Sequence, residues 1–223
     1  MEIGQWINAL ILGACFLVLF GLAELLYHFV KVKAELTRKL VHAGTGFLTL
    51  LFPLMLHNHW LVLLLCSLFA IILLLSLKFG LLPSINAIDR KSYGSLAYPV
   101  AVYGCYLAYE YAHRDLIFFY LPILALAICD PVAALCGRRW PKGVYTISGH
   151  KKTLMGSACF LFSFCVLSTV LYYLQNSMLP TTPFILFTLV AGVTSALVEA
   201  ISGRGLDNLT IPGAVLLVMF GML

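Results

Sequence analysis

WLVLLLCSLFAIILLLSLKF, residues 60–79, is a run of twenty residues whose only charge is Lys78, next to its end. Coiled as an α-helix at about 1.5 Å per residue, such a run covers the roughly 30 Å of a bilayer's hydrocarbon core. It has no polar stripe at the 3.6-residue period that a helix lying on a soluble core would show. The stretch therefore reads as a membrane span. The rest of the chain agrees: of 223 residues, 62% are hydrophobic and only 10% charged. Ordinary soluble domains sit near half apolar and a quarter charged, so a single water-soluble core is excluded.

Working outward, the apolar runs predict eight helices, at about Trp6–Val30, Leu40–Leu56, Trp60–Phe79, Ser95–Ala112, Leu116–Cys136, Leu154–Leu174, Pro183–Ile201 and Leu209–Leu223. The second, fourth and last are short or polar enough that seven spans with a re-entrant segment is the alternative. The expected fold is an all-α polytopic transmembrane bundle, residues 1–223 forming one integral-membrane domain. Met1-Glu2 lacks the basic start of a secretory signal, and none is predicted. All seven cysteines fall in apolar segments with no CxxC pair and read as small apolar fillers, neither disulfide nor metal ligand.

The loops alternate in charge. Lys31, Lys33, Arg38 and Lys39 lie between spans 1 and 2, and Lys78, Arg90 and Lys91 between spans 3 and 4. Arg138, Arg139, Lys142, Lys151 and Lys152 lie between spans 5 and 6, and Arg204 between spans 7 and 8. The opposite loops hold only Arg114, so thirteen of fourteen basic residues share one side. By the positive-inside rule that side is cytoplasmic and the N-terminus is outside. The basic residues sit at span ends, where lipid headgroups and topology account for them, and no nucleic-acid partner is expected.

Ionisable groups inside spans are costly and are functional candidates by default. Glu24, Asp130 and Glu199 lie in the cytoplasmic halves of their spans; Glu110, beside His113 and Arg114, reads as an outer interfacial anchor. Asp130-Pro131 is followed by Ala133, Ala134 and Gly137, small residues on the acid's own helix face. Glu199 shares a face with Ser195 and Ser202, leading to Asp207 and Asn208, either of which could cap the next helix. Arg38, His42, Thr45 and Thr49 form a polar stripe on span 2. Gly149-His150-Lys151-Lys152-Thr153 precedes a helix opening Leu154-Met155-Gly156. Lysines there oppose the helix dipole, a conflict that a bound anion would relieve; positive-inside charge is the competing account. It is not a Walker A loop. Acids and lysines meeting on one side of a membrane are the mixture phosphoryl transfer needs, with carboxylates for Mg²⁺ and cations for phosphates.

These residues carry a resemblance. Arg38-Lys39-Leu40-Val41-His42 with Gly46, Arg90-Lys91-Ser92-Tyr93-Gly94-Ser95, Asp130-Pro131-Val132-Ala133-Ala134 with Gly137, Lys151-Lys152-Thr153 with Gly156, and Val198-Glu199-Ala200 with Asp207–Pro212 occur in that order. The chain resembles the polyprenol, phytol and dolichol kinase family, which includes CTP-dependent diacylglycerol kinases and is often labelled phosphatidate cytidylyltransferase-like. The third and fourth motifs resemble the stretch assigned to CTP binding in dolichol kinases. Met155 departs from the acid usual there in dolichol kinases; phytol kinases also lack it.

The resemblance implies a CTP-dependent kinase acting, with Mg²⁺ or another divalent cation, on the hydroxyl of a membrane lipid alcohol. A polyprenol, phytol or a diacylglycerol-like lipid are all eligible acceptors. Asp130, Glu199 and Asp207 are expected as metal ligands or base, without a choice among them, and His42 as a contact to phosphate or the acceptor hydroxyl. Lys151, Lys152, Thr153, Gly156, Gly137, Arg38, Arg90 and Asn208 are expected to bind nucleotide or phosphate. Two rivals stand beside this reading: a cytidylyltransferase joining CTP to a lipid phosphate, and a transporter or scaffold without chemistry. The outer half is nearly free of ionisable groups, which argues against a transport path. Short loops and compact size point to a prokaryotic inner membrane, with an ER-type membrane as the alternative, and the site facing the cytoplasm.

Overall fold

The computed structural model describes residues 2–86, 93–147 and 150–223. Among these, the chain forms α1 (Glu2–His28), α2 (Ala34–Thr49), α3 (Phe52–Met55), α4 (His59–Phe79), α5 (Pro83–Asn86), α6 (Gly94–Tyr111), α7 (Ile117–Leu124), α8 (Asp130–Arg139), α9 (Leu154–Asn176), α10 (Thr182–Ile201) and α11 (Asp207–Met222). Among the described residues, five helices are long and apolar enough to cross a membrane: Ile3–His28, His59–Phe79, Ile117–Arg139, Leu154–Asn176 and Thr182–Ile201. They match the expected spans 1, 3, 5, 6 and 7. The other three are the ones singled out as short or polar: α2 and α11 have 16 residues each and α6 has 18.

The all-α expectation needs one correction. Val144–Ile147 (β1) and His150–Thr153 (β2) form an antiparallel hairpin with Tyr145 opposite Lys152 and Thr146 opposite Lys151. Val-Tyr-Thr-Ile is a β-branched and aromatic run, which suits a pleated strand better than a helix.

Ile117–Arg139 is the central helix. Its apolar side chains pack with Phe160, Phe164, Phe187, Ile211 and Val215 of α9, α10 and α11 in one core, and Phe119 and Ile123 join Leu12, Val62 and Tyr106 in a second. Midway, residues Ala125–Cys129 widen to a π-turn. The Asp130 N–H bonds to the Ala125 carbonyl, five residues back, and Pro131 has no N–H to offer Leu126. The orphaned Leu126 carbonyl instead accepts a hydrogen bond from His42 Nε2 at 3.2 Å. Gly46 makes this approach of α2 feasible, since a Cβ there would collide with Ala127.

The outward faces of α1, α4, α9 and α10 expose Leu17, Leu68, Val166 and Leu186 among many others, the surface expected against lipid. At one end of the bundle, Arg114 pairs with Glu110 at 3.1 Å and reaches the His57 carbonyl at 3.2 Å. That contact fits the expected anchoring role of Glu110. At the other end gather the N-termini of α2, α6, α9 and α11 and the C-termini of α4, α8 and α10, enclosing one chamber. Glu24 braces this end structurally, accepting hydrogen bonds from the Ser84 N–H at 3.1 Å and hydroxyl at 2.5 Å.

Candidate functional site

The chamber encloses about 870 Å³. Asp130, Glu199, Asp207, His42, Lys151, Lys152, Thr153, Gly156, Gly137, Arg38 and Asn208, scattered over 170 positions of sequence, all line it. Arg90 lies outside the described residues. Glu35, Lys39, Arg138, His150 and Arg204, which the sequence reading did not assign to the site, line it too. Six basic side chains (Arg38, Lys39, Arg138, Lys151, Lys152, Arg204) therefore face four acids (Glu35, Asp130, Glu199, Asp207), a surplus of positive charge suited to a polyanion.

The two lysines of the hairpin do different things. Successive residues of a strand point to opposite faces, so the adjacent lysines diverge. Lys151 is exposed at the rim. Lys152 turns inward, and its ammonium is paired with the Glu199 carboxylate and bonded to the Glu199 main-chain carbonyl at 3.1 Å. Both sit on a strand that the sequence reading did not foresee and that runs directly into the helix N-terminus it did foresee. The cap of α9 is Thr153, whose hydroxyl accepts from the Gly156 N–H at 3.0 Å.

Gly137 and Gly156 have a packing reason to be glycine. A Cβ on Gly137 would come within 2.6 Å of Thr153 Oγ1, and one on Gly156 within 3.0 Å of the Ala133 carbonyl. The pair lets α8 and α9 touch at backbone distance, and Asp130, two turns upstream of Gly137, feels the charge of Lys152 on the hairpin.

At α11 the cap position is Leu206 with no side-chain cap, so neither Asp207 nor Asn208 caps the helix as expected. Asp207 lies in the first turn and accepts from the Asn208 N–H at 3.0 Å. Its other carboxylate oxygen is available to the chamber. Asn208 Nδ2 donates to the Gly94 carbonyl at 3.0 Å, tying α11 to α6. Arg204 and Gly205 take positive φ, 55° and 83°, to make the sharp turn between α10 and α11.

Asp130 has Asp207, Lys152, Glu199 and Lys39 as its charged neighbours. At the rim, Glu35 bridges Arg138 at 3.2 Å and Arg38 at 3.6 Å, joining α2 to α8. Lys39 Nζ and Arg38 Nε are buried without a hydrogen-bond partner among the described residues. An unpaired cation in a chamber is costly unless an anion joins it. In the sequence Lys39 counts as a topology charge and as part of the first motif, without a role of its own at the site.

For a divalent cation the fit is partial. Among the described residues no three His, Cys, Asp or Glu side chains converge closely enough to hold an ion by themselves. Glu199 is already engaged by Lys152. Mg²⁺ bound with a nucleotide needs only one or two protein carboxylates, the phosphates and water supplying the rest, and Asp130 and Asp207 can provide that number.

A helical membrane protein with a charged chamber at one end and apolar walls is a familiar class of lipid-handling protein, and sequence comparison narrows it. Over 205 aligned residues, 89% of this chain and 84% of the relative, the chain is 33% identical to the phytol kinase of Synechocystis sp.. No family model and no solved structure matches it. The chain belongs to the polyprenol and phytol kinase family.

Proposed function

We propose that the protein is a lipid-alcohol kinase that transfers the γ-phosphoryl group of CTP to the hydroxyl of an isoprenoid alcohol held in the membrane. The observation that carries this reading is the chamber: acids and a surplus of cations at one end of an apolar bundle, whose wall towards α1 and α4 is Phe20, Leu73, Leu74 and Leu77. The relative's name supports a lipid-alcohol acceptor. CTP as donor rests on the resemblance of Asp130–Ala134 and Lys151–Thr153 to dolichol kinases.

Lys39, Arg38 and Lys151 receive the phosphates. Asp130 and Asp207 would hold the divalent cation, which would supply charge neutralisation on the phosphates. Lys152, fixed by Glu199, points its ammonium at the same region, and the protein's main work is positioning and electrostatics. The alcohol oxygen attacks the γ-phosphorus, the bond to the β-phosphate oxygen breaks, CDP leaves, and the hydroxyl proton passes to a chamber carboxylate. Eight crossings, with α2, α6 and α11 completing the five long spans, an outside N-terminus and a cytoplasmic chamber follow from the charge asymmetry. A prokaryotic inner membrane suits the short loops.

The test is turnover by purified protein with γ-labelled CTP or ATP and a panel of lipid alcohols, run in parallel with the corresponding lipid monophosphates. Label in an isoprenyl monophosphate with release of CDP supports the reading. Pyrophosphate release with a CDP-lipid product would establish the cytidylyltransferase in its place.

A further inference from the structure

We infer that the acceptor is a single-chain alcohol whose hydroxyl is held by Tyr98 and whose first chain atoms enter an apolar branch of the chamber between α1, α2, α4 and α6. The inference rests on the kinase reading for what happens next, but the subsite is defined by its own geometry. A second cavity of about 50 Å³ shares Phe20, Thr45, Leu73 and Tyr98 with the chamber, so the two adjoin across these side chains. Beyond those residues the branch is walled by side chains such as Phe16, Phe69 and Cys66. The Phe16 and Phe69 rings pack against each other with centroids 4.8 Å apart and close the branch on that side, and its small volume takes the first atoms of one chain and not the paired chains of a glycerolipid.

Tyr98 stands at the junction. Its hydroxyl is buried and makes no hydrogen bond of normal geometry among the described residues, although the Thr45 and Thr49 hydroxyls lie nearby. Both threonines donate within α2, Thr45 to the His42 carbonyl at 2.9 Å and Thr49 to the Gly46 carbonyl at 2.7 Å. They can still accept a hydrogen bond but have no proton left to give. An alcohol oxygen is both donor and acceptor, so it can take the Tyr98 proton and give its own to a threonine oxygen. The His42 ring packs edge-on to Tyr98 with centroids 5.6 Å apart, which places this junction on the chamber side that α2 shares with the central helix. A chain leaving that point meets the apolar wall of Leu73, Leu74 and Leu77 on its way to the bilayer.

The experiment is photolabelling of the full-length protein in lipid nanodiscs, using an isoprenoid alcohol with a diazirine in its first isoprene unit. Labelled peptides are mapped by mass spectrometry, and turnover with labelled CTP is measured on the same samples. The expected result is label on the branch residues of α1, α4 and α6, uncompeted by diacylglycerol. It should be reduced about tenfold in Tyr98→Phe, the loss expected for one hydrogen bond to the alcohol. Tyr98→Phe removes a hydroxyl that has no bond to lose, so its melting temperature should stay at the wild-type value. Cys66→Phe, which fills the branch, should abolish the label through a different side chain. Label spread over the outward helix faces, or competed by diacylglycerol, or undiminished in both variants, overturns the inference. Branch labelling without any turnover upholds the subsite and removes the kinase reading instead.

Discussion

Lys152 and Glu199 are joined twice across 47 positions of sequence, the ammonium binding both the carboxylate and the main-chain carbonyl of the same residue. With side chains 22% and 6% exposed, neither partner has much water to fall back on. Removing one alone strands the other, at a cost of about 3 kcal/mol for a buried pair. Glu199→Ala and Lys152→Met should therefore each lower the melting temperature in detergent. The double variant should melt above the sum of the two losses, while turnover is absent in all three. Additive losses would mean the pair is not coupled.

Gly137→Ala tests the contact between α8 and α9. The new methyl would sit 2.6 Å from Thr153 Oγ1, so either the cap on α9 or the helix separation gives way. Overpacking of this kind costs about 1–3 kcal/mol. A Thr153→Ala change in the same protein removes the colliding atom, and part of the loss should return. Melting curves of the two single variants and the double variant decide it.

The sequence showed the membrane class, the five long spans and most of the chamber's polar residues, because those signals are local: apolar runs, charge at span ends, acids within spans. What it did not show was tertiary. The hairpin hid in a four-residue strand, and Val144–Ile147 read as loop although its β-branched residues and the following Ser148-Gly149 are a legible hairpin cue. That miss made Lys151 and Lys152 equivalent, whereas the strand's alternation separates them. The π-turn before Pro131 depends on a donor from α2, which no window around Asp130 contains.

Lys39→Met should move stability and binding in opposite directions. Its ammonium is buried without a hydrogen-bond partner among the described residues, and desolvation outweighs the attraction of Glu35 and Asp130, so replacing it with an apolar side chain of similar length removes a cost and should raise the melting temperature of ligand-free protein. The same change deletes a phosphate contact, weakening CTP–Mg²⁺ by about tenfold, as expected for a charge-assisted hydrogen bond. Thermal shifts measured across a CTP titration separate the two effects. A variant less stable than wild type without ligand would show that Lys39 is held by the protein itself.

Asp130→Asn tests the central acid. The amide keeps the size of the side chain and its place in the chamber but loses the negative charge that favours a divalent cation and cannot take a proton. Turnover should fall by at least about a thousandfold, given that both roles act on the transition state. Protein yield and melting temperature should remain close to wild type. Wild-type rates in a folded variant would remove Asp130 from the chemistry.

His42 and Pro131 should prove energetically coupled although they sit on different helices. Pro131 leaves the Leu126 carbonyl without an intrahelical donor, and His42 Nε2 supplies the hydrogen bond at 3.2 Å. His42→Ala alone leaves that carbonyl buried and unpaired, at a cost of about 1–3 kcal/mol. Pro131→Ala restores a backbone N–H that can bond to Leu126 within the helix, so in that background the same histidine change should cost much less stability. Turnover carries a second reading of the same cycle. The Nε2 bond leaves Nδ1 as the ring atom free to face the chamber, so a histidine that only braces the π-turn would be dispensable for activity once Pro131 is replaced. Turnover that stays lost in the double variant, with stability recovered, would place His42 in contact with phosphate or the acceptor.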